Sequence, residues 1–177
     1  MHNPKNGEVT TNSTYDLIVS TLTFPETKIT MPRISACTIP LKIKSLLWLA
    51  IENRISTWDN LIRKGWNDLD RFCLCLGEEE SINHIFLVCP FILNIVDWFS
   101  KRLGQVIPWT SCSFLQNLEN CFLCDLGNSD FPLFIIWCVW NTRNLTIFEN
   151  KNVISSSTCQ HVLSLLNAYP VAGKTKK

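Results

Sequence analysis

The sequence predicts a mainly α-helical protein, with a small irregular helical domain followed by additional C-terminal helices. In several segments apolar residues recur every three or four positions, which is the spacing of an amphipathic helix. No segment sustains the apolar–polar alternation of a half-buried strand, so we expect little sheet. Prolines and glycines stand at the two ends of these periodic segments, where helices commonly start and stop.

The composition limits the classes of protein to consider. The chain has 177 residues, of which 46% are hydrophobic and 18% charged, and its net charge is +1. This length suits one domain or one domain with an arm, and the apolar content is sufficient for a core. Because the net charge is near zero, no field of the whole chain attracts nucleic acid, and any such site must be a local patch.

Cysteine usage and the N-terminal sequence predict an intracellular protein. The chain has 9 cysteines, an odd number, and it begins with the polar run MHNPKNGEVTTNSTY rather than with a secretory signal. In a reducing compartment clustered cysteines bind metal or lie in the core more often than they form disulfides. The densest apolar run, residues 131–140, is about half the length of a membrane span, so we expect no contact with a membrane.

The first third of the chain predicts an arm and then two helices. We expect residues 1–12 to be loose, residues 13–23 to form a short helix, and residues 25–39 to form a linker. An amphipathic helix with the sequence LKIKSLLWLAIENR follows Pro40. A second helix, WDNLIRKG, is capped by Ser56 or Thr57 and closed by Gly65.

The remainder predicts a series of further helices. Ser81 is placed to cap a short helix, and Pro90 to open a longer one that Gly104 ends. The later helices are predicted over residues 113–126, over the apolar run after Pro132, and over residues 157–168. From these patterns we predict an arm at 1–32, a domain at 33–105 and a C-terminal helical extension at 106–177.

A cluster of cysteine and histidine carries the clearest chemistry. Cys73, Cys75, His84 and Cys89 fall within 17 residues. Zinc takes four thiolate or imidazole ligands as a tetrahedron, and short spacings let one turn and one helix supply them. Positions five apart diverge on an α-helix, so Cys89 must lie where the helix of His84 ends. Cys75 is followed closely by Gly77, and a glycine suits a tight zinc-knuckle turn.

The first half of this cluster is irregular. A zinc knuckle uses C-x2-C spacing, which would place a cysteine at position 72, and that position is Phe72. The site could bind zinc with Cys73 as a displaced fourth ligand, or with three protein ligands and a water. The alternative is a site that no longer binds metal, whose thiols and imidazole only fill a small core.

The motifs around this cluster resemble, in order, the reverse transcriptase zinc-binding domain of plant LINE-type (non-LTR) retrotransposons. That family runs P-x-K-x-K-x-F-x-W, L-x-T-x-D-x-L-x-x-R, C-x2-C-G, an acidic run, S-x-x-H and a cysteine before Pro-Phe. The positions that match are Pro40, Lys42, Lys44, Trp48, Thr57, Asp59, Leu61, Lys64, Cys75, Glu78 to Ser81, His84, Cys89, Pro90 and Phe91. The flanking stretches NGEVTTNSTYDLI and WCVWNTRNLTIFE are also similar to segments that adjoin this domain, so the resemblance spans roughly residues 7–150.

The resemblance implies a non-catalytic, zinc-binding-like module, isolated and partly degenerate. It would assist nucleic-acid binding or pack beside a polymerase or ribonuclease H domain, within the cell and in the nucleus. No Tyr-x-Asp-Asp polymerase motif occurs in the sequence, and we expect no enzymatic activity and no small-molecule substrate. The alternative is a metal-free remnant that acts only as a structural or protein-interaction domain.

Basic residues near the cluster are candidates for nucleic-acid contact. Lysine and arginine neutralise phosphates, and aromatic faces such as those of Trp48, Trp58 and Trp66 stack on unpaired bases. Against this, acidic residues dilute the patch, and tryptophans at helical spacing are usually in the core. The basic candidates are Lys42, Lys44, Arg54, Arg63, Lys64 and Arg71.

Overall fold

A computed structural model of the chain describes residues 30–66, 72–109, 113–123 and 130–169. Over these ranges it has seven α-helices, one π-helical turn and no strand, which confirms the mainly α-helical prediction. The elements are α1 (Thr30–Ala36), α2 (Leu41–Ile51), α3 (Trp58–Arg63), the π turn (His84–Val88), α4 (Pro90–Leu103), α5 (Phe114–Leu123), α6 (Phe131–Glu149) and α7 (Ser155–Ala168).

Helix α6 is the centre of the fold. Its first half is buried on almost every side, from Phe131 through Ile136 and again at Cys138 and Val139. A helix that is apolar around its whole circumference is stable only when other elements surround it. Here α2, α7 and the π turn all pack against it. The π turn is therefore held directly against the central helix.

The other helices complete one core. Helix α4 buries Ile92, Ile95 and Phe99, which recur at helical spacing on one face. Helix α7 packs against both α4 and α6, while α5 contacts α1, α2 and the π turn. Elements from the predicted domain at 33–105 and from the predicted extension at 106–177 thus share one continuous apolar core.

Several predicted helix ends are confirmed. Pro40 immediately precedes α2, Thr57 precedes α3, and Pro90 is the first residue of α4. Gly65 and Gly104 have φ angles of 88° and 66° after α3 and α4, in the left-handed region where glycine has no side-chain clash. The prolines and glycines therefore mark these boundaries correctly.

The predicted linker at residues 25–39 was wrong in part, because Thr30–Ala36 form helix α1. Thr30, Met31 and Ile34 are buried there, and α1 contacts α2 and α5. Pro32 lies in the first turn, where a helix tolerates the missing N–H. Packing of this short apolar face against its neighbours stabilises the helix where the local sequence favoured a loop. The predicted helix at 13–23 lies outside the described residues.

One helical run in the described part of the chain has the length and apolarity of a membrane span, His84–Leu103. Slightly more than half of it, 56%, is buried inside the molecule, as in the core helix of a globular protein. Cys89 also interrupts it with a ψ angle of 133°, which is outside the helical region. We interpret the run as two core elements joined at Cys89.

Candidate metal centre

The first side of the candidate site is a tight turn over residues 72–77. The carbonyl of Phe72 accepts hydrogen bonds from the N–H groups of Cys75 at 3.3 Å and Leu76 at 2.8 Å. Leu76 has a φ angle of 56°, so the left-handed position of the turn falls on Leu76 and not on the predicted Gly77. The N–H of Gly77 instead points to the Cys75 sulfur at 3.5 Å. A knuckle-like turn therefore forms without a cysteine at its first position.

The second side is the π turn that carries His84. Ser81 caps its start, as predicted, because the Ser81 hydroxyl accepts the N–H of His84 at 3.1 Å. The N–H of Cys89 donates to the carbonyl of His84 at 2.9 Å, which is a hydrogen bond across five residues rather than four. This wider turn rotates Cys89 back toward His84. Five-residue spacing, which would separate two ligands on an α-helix, thus brings them together.

Three side chains converge between these two turns. The metal-binding atoms of Cys75, His84 and Cys89 all lie within 4.8 Å of one another. The Cys75 sulfur is 3.2 Å from His84 Nε2. His84 and Cys89 are buried, whereas Cys75 is partly exposed. Two thiols and one imidazole nitrogen directed at one point are a donor set that suits zinc.

Glu78 orients the imidazole ring of His84. Its Oε2 atom lies 3.0 Å from His84 Nδ1, on the side of the ring away from Cys75. A carboxylate in this position accepts the Nδ1 proton and leaves Nε2 free to bind a metal. From the sequence, Glu78 was predicted only as part of an acidic run, and its contact with the imidazole ring was not predicted. Glu78 lies six residues before His84, a spacing that does not by itself predict contact. The turn between the two residues brings the Glu78 carboxylate to the imidazole ring.

The environment of Cys89 favours the neutral thiol when no metal is bound. Burial, together with the adjacent Cys75, raises the pKa of Cys89 to about 12, although backbone N–H groups of Phe91 and Ile92 lower it. These N–H groups belong to the first turn of α4, where unpaired donors and the helix dipole favour a negative charge. A bound cation would therefore have to displace the thiol proton, and the N–H groups of α4 would then help to stabilise the thiolate.

Phe72 stands at the position where C-x2-C spacing would place a cysteine. Its side chain is completely buried, and its ring packs edge-on against that of His84 with 5.4 Å between the centroids. The described residues of the site thus offer three protein donors, and a tetrahedral zinc ion held by them would take one further ligand, such as a water molecule. With that further ligand, the residues present fit a metal ion. Cys75, His84 and Cys89 would hold the ion, and the ion would cross-link the two turns.

The structure does not bring Cys73 into this group. The sulfur of Cys73 lies 3.9 Å from the backbone carbonyl of Arg143 on α6. Burial raises the pKa of Cys73 to about 11, with the charge of Glu80 adding to the effect. Cys73 thus faces the central helix, whereas Cys75 faces His84.

A buried ion pair holds the loop of the site against α6. Glu80, between Glu78 and His84, accepts two hydrogen bonds from Arg143, and both side chains are buried. Arg143 Nη2 also donates to the carbonyl of Ser56, and its guanidinium lies over the ring of Trp140. Glu80 and Arg143 are 63 positions apart, and the local sequence carries no signal for their contact.

The predicted basic residues are mostly engaged within the protein or separated. Lys42 lies 5.0 Å from the centre of the Trp137 ring, and Lys44 donates to the carbonyl of Ser35 at 2.7 Å. Arg63 forms an ion pair with Asp59 at 3.0 Å. These contacts direct three of the six candidates toward partners in the chain.

The remaining basic candidates differ in position. Arg54 and Lys64 are exposed, on either side of the short helix α3. Arg71 lies outside the described residues. Of the tryptophans predicted to accompany them, Trp66 is exposed, whereas Trp48 is partly buried against the core.

Comparison with known families agrees with this site. Residues 10–95 match a family model described as zinc-binding in reverse transcriptase. No curated protein and no solved structure matches the chain. The matched range contains both turns and all three convergent side chains. The segment that builds the candidate metal centre is therefore similar to the zinc-binding domain of reverse transcriptases.

Proposed function

We propose that the chain is a non-catalytic zinc-binding module derived from the reverse transcriptase of a plant LINE-type retrotransposon. The convergence of Cys75, His84 and Cys89 within 4.8 Å, inside the range that matches the reverse transcriptase family model, carries this proposal. The bound metal would tie the knuckle-like turn to the π turn. Its role would be structural, because both turns pack on the core.

Metal analysis of the purified chain tests the proposal. One equivalent of zinc should co-purify, and chelation with EDTA should reduce the helical circular dichroism or lower the unfolding temperature, since metal binding and folding are linked. Cys75→Ser and His84→Ala should each abolish the bound zinc. Cys37→Ser is the matched control, because Cys37 lies outside the site. The proposal would be contradicted if the purified protein contains no zinc and EDTA does not change its circular dichroism spectrum.

A metal-free structural or protein-interaction module is the second candidate. The observation that favours it is the buried ring of Phe72, packed against His84 where the family has a cysteine. In this form the thiols, the imidazole and the phenyl ring together fill a small core. Under this candidate the chain should unfold at the same denaturant concentration with and without zinc, and Cys75→Ala should be tolerated as an ordinary core substitution.

We also propose that the module assists nucleic-acid binding or packs beside a polymerase or ribonuclease H domain, within the nucleus. Arg54, Lys64 and the exposed Trp66 supply charge and one aromatic face near the short helix α3. Single-stranded RNA is the probe, titrated at several salt concentrations. Because phosphate contacts release counterions, affinity should fall steeply as salt rises. Arg54→Gln with Lys64→Gln should weaken binding, whereas Lys101→Gln on α4 should not.

A further inference from the structure

The sulfur atoms of the two cysteines of the candidate site lie close together. Cys75 and Cys89 belong to a group whose metal-binding atoms all lie within 4.8 Å of one another. They come from different turns, 14 positions apart in the chain. To form a disulfide, the two sulfurs must approach to about 2 Å and the pair must lose two electrons and two protons.

Because position 72 is not a cysteine, Cys75 has fewer thiols with which it could form a disulfide. Phe72 supplies no sulfur, and Cys73 is turned away toward the carbonyl of Arg143. In the described part of the site, Cys75 therefore has one thiol neighbour, Cys89, and the second atom against its sulfur is the imidazole nitrogen of His84. An oxidised Cys75 would have a single partner in reach.

We propose that Cys75 and Cys89 form a reversible intramolecular disulfide when the metal-free protein meets a hydroperoxide. The peroxide oxygen would first oxidise Cys75 to a sulfenic acid, releasing an alcohol or water. The Cys89 sulfur then attacks that of Cys75, forms the S–S bond and expels water. In total two thiols and one hydroperoxide give one disulfide, one alcohol and one water. A dithiol reductant reverses the step by thiol–disulfide exchange.

The positions of the two sulfurs fit this order of events. Cys75 is partly exposed on the knuckle-like turn, next to the 68% exposed Leu76, so a small oxidant can reach it. Cys89 is completely buried at the start of α4 and serves as the resolving thiol. The disulfide would join the same two turns that a metal would join. Metal and disulfide are therefore alternative cross-links that exclude each other, and the proposal does not depend on zinc being bound.

A second cysteine pair provides an internal control. Cys138 lies on α6 and Cys159 on α7, and these two helices pack against each other. Both are buried in the packing between these helices. Because neither is exposed to the oxidant, this pair should stay reduced under conditions that link Cys75 to Cys89.

The test is peptide mapping of the full chain. EDTA-treated protein is exposed to equimolar hydrogen peroxide, free thiols are alkylated, and the non-reduced digest is analysed by mass spectrometry. The expected product is a Cys75–Cys89 cross-linked peptide that dithiothreitol removes, with Cys138 and Cys159 alkylated. Cys75→Ser and Cys89→Ser should each abolish the cross-link. Cys75 is partly exposed, so its variant gives a valid test even if replacement of the buried Cys89 impairs folding. Cys75 linked to Cys73, or recovered as free thiol, would overturn the proposal.

A parallel sample loaded with zinc separates this proposal from the proposed function. If the site binds zinc, the metal should slow formation of the Cys75–Cys89 peptide at least about tenfold, because bound thiolates are not free to react. If the cross-link forms equally fast with and without zinc, the result supports the proposed disulfide and contradicts the proposed zinc binding. If it forms in neither sample, the disulfide is excluded whatever the zinc content.

Discussion

Arg143 and Glu80 form a bidentate ion pair inside the molecule, with Nε 3.0 Å from Oε2 and Nη2 2.6 Å from Oε1. Their side chains are only 5% and 3% exposed. Glu80 also accepts the N–H of Trp58, and Arg143 also donates to the carbonyl of Ser56. One buried pair thus connects the loop before His84, the start of α3 and the central helix α6.

Removing one member of this pair should be strongly destabilising. Arg143→Met leaves the carboxylate of Glu80 buried without its cation, and such a change typically costs about 3–5 kcal/mol. Urea unfolding followed by circular dichroism measures the free energy of unfolding. The double variant Glu80→Leu with Arg143→Met should lose less than the sum of the two single variants, because it leaves no buried charge uncompensated.

The exposed pair of Arg63 and Asp59 provides the matched control. Its nitrogen–oxygen distance is 3.0 Å, but the side chains are 60% and 32% exposed. Surface pairs of this kind contribute about 0–1 kcal/mol. Arg63→Met should therefore change the free energy of unfolding far less than Arg143→Met. Equal losses from the two substitutions would show that Arg143 does not act as a buried partner.

Phe72→Cys should add a fourth protein ligand to the site. The substitution places a thiol at the first position of the knuckle-like turn, beside His84, and should tighten zinc binding by at least about tenfold, or 1.4 kcal/mol. Removing the buried ring also leaves a cavity, so the metal-free variant should be less stable by about 3–5 kcal/mol. Competition with a coloured chelator measures the affinity, and thermal unfolding in EDTA measures the cavity effect.

Phe72→Ser separates the ligand from the cavity. Serine has nearly the size of cysteine but supplies no thiolate, so this variant should be destabilised without gaining zinc affinity. If Phe72→Cys and Phe72→Ser bind zinc equally, position 72 does not supply a ligand in this chain. The site would then be limited to Cys75, His84 and Cys89.

The helices and part of the site could be predicted from local sequence. Pro40 and Pro90 mark helix starts because proline suits a first turn, and Gly104 marks a stop because it adopts a left-handed φ. The spacing of His84 and Cys89 predicted a helix end at Cys89, which the structure confirms. These signals depend on a few neighbouring residues, so one sequence is sufficient to detect them.

Other features depend on contacts between distant segments. The ion pair of Glu80 with Arg143 joins residues 63 positions apart, and no motif near either residue predicts it. Helix α1 was expected to be a linker, because its stability comes from the burial of Met31 and Ile34 against other helices. The π turn escaped prediction for a similar reason, since the hydrogen bond from Cys89 to His84 depends on how α4 packs. Local propensity does not contain this information.

Glu78→Gln should weaken zinc binding by about 10–100-fold, as expected for the loss of a carboxylate that orients a metal-bound histidine. Glu78 is 73% exposed, so the folding stability of the metal-free chain should change little. Glu79→Gln is the control, because it removes the same charge one position away from the carboxylate that contacts His84. Isothermal titration with zinc distinguishes them. Equal losses in both variants would point to general electrostatics instead of orientation by Glu78.

The buried thiols should make the metal-free protein less stable at alkaline pH. Burial raises the pKa of Cys138 to about 12 in the folded chain, against a usual value of 9.0. Above pH 9 the unfolded chain therefore releases a proton that the folded chain retains, and stability is lost as pH rises from about 9 toward 12. Urea midpoints in EDTA should fall as the pH rises above about 9. Cys138→Ala should be less stable at neutral pH, because it loses packing, but should show a shallower alkaline decline. An identical decline in both proteins would mean that Cys138 ionises equally easily in the folded and unfolded chains.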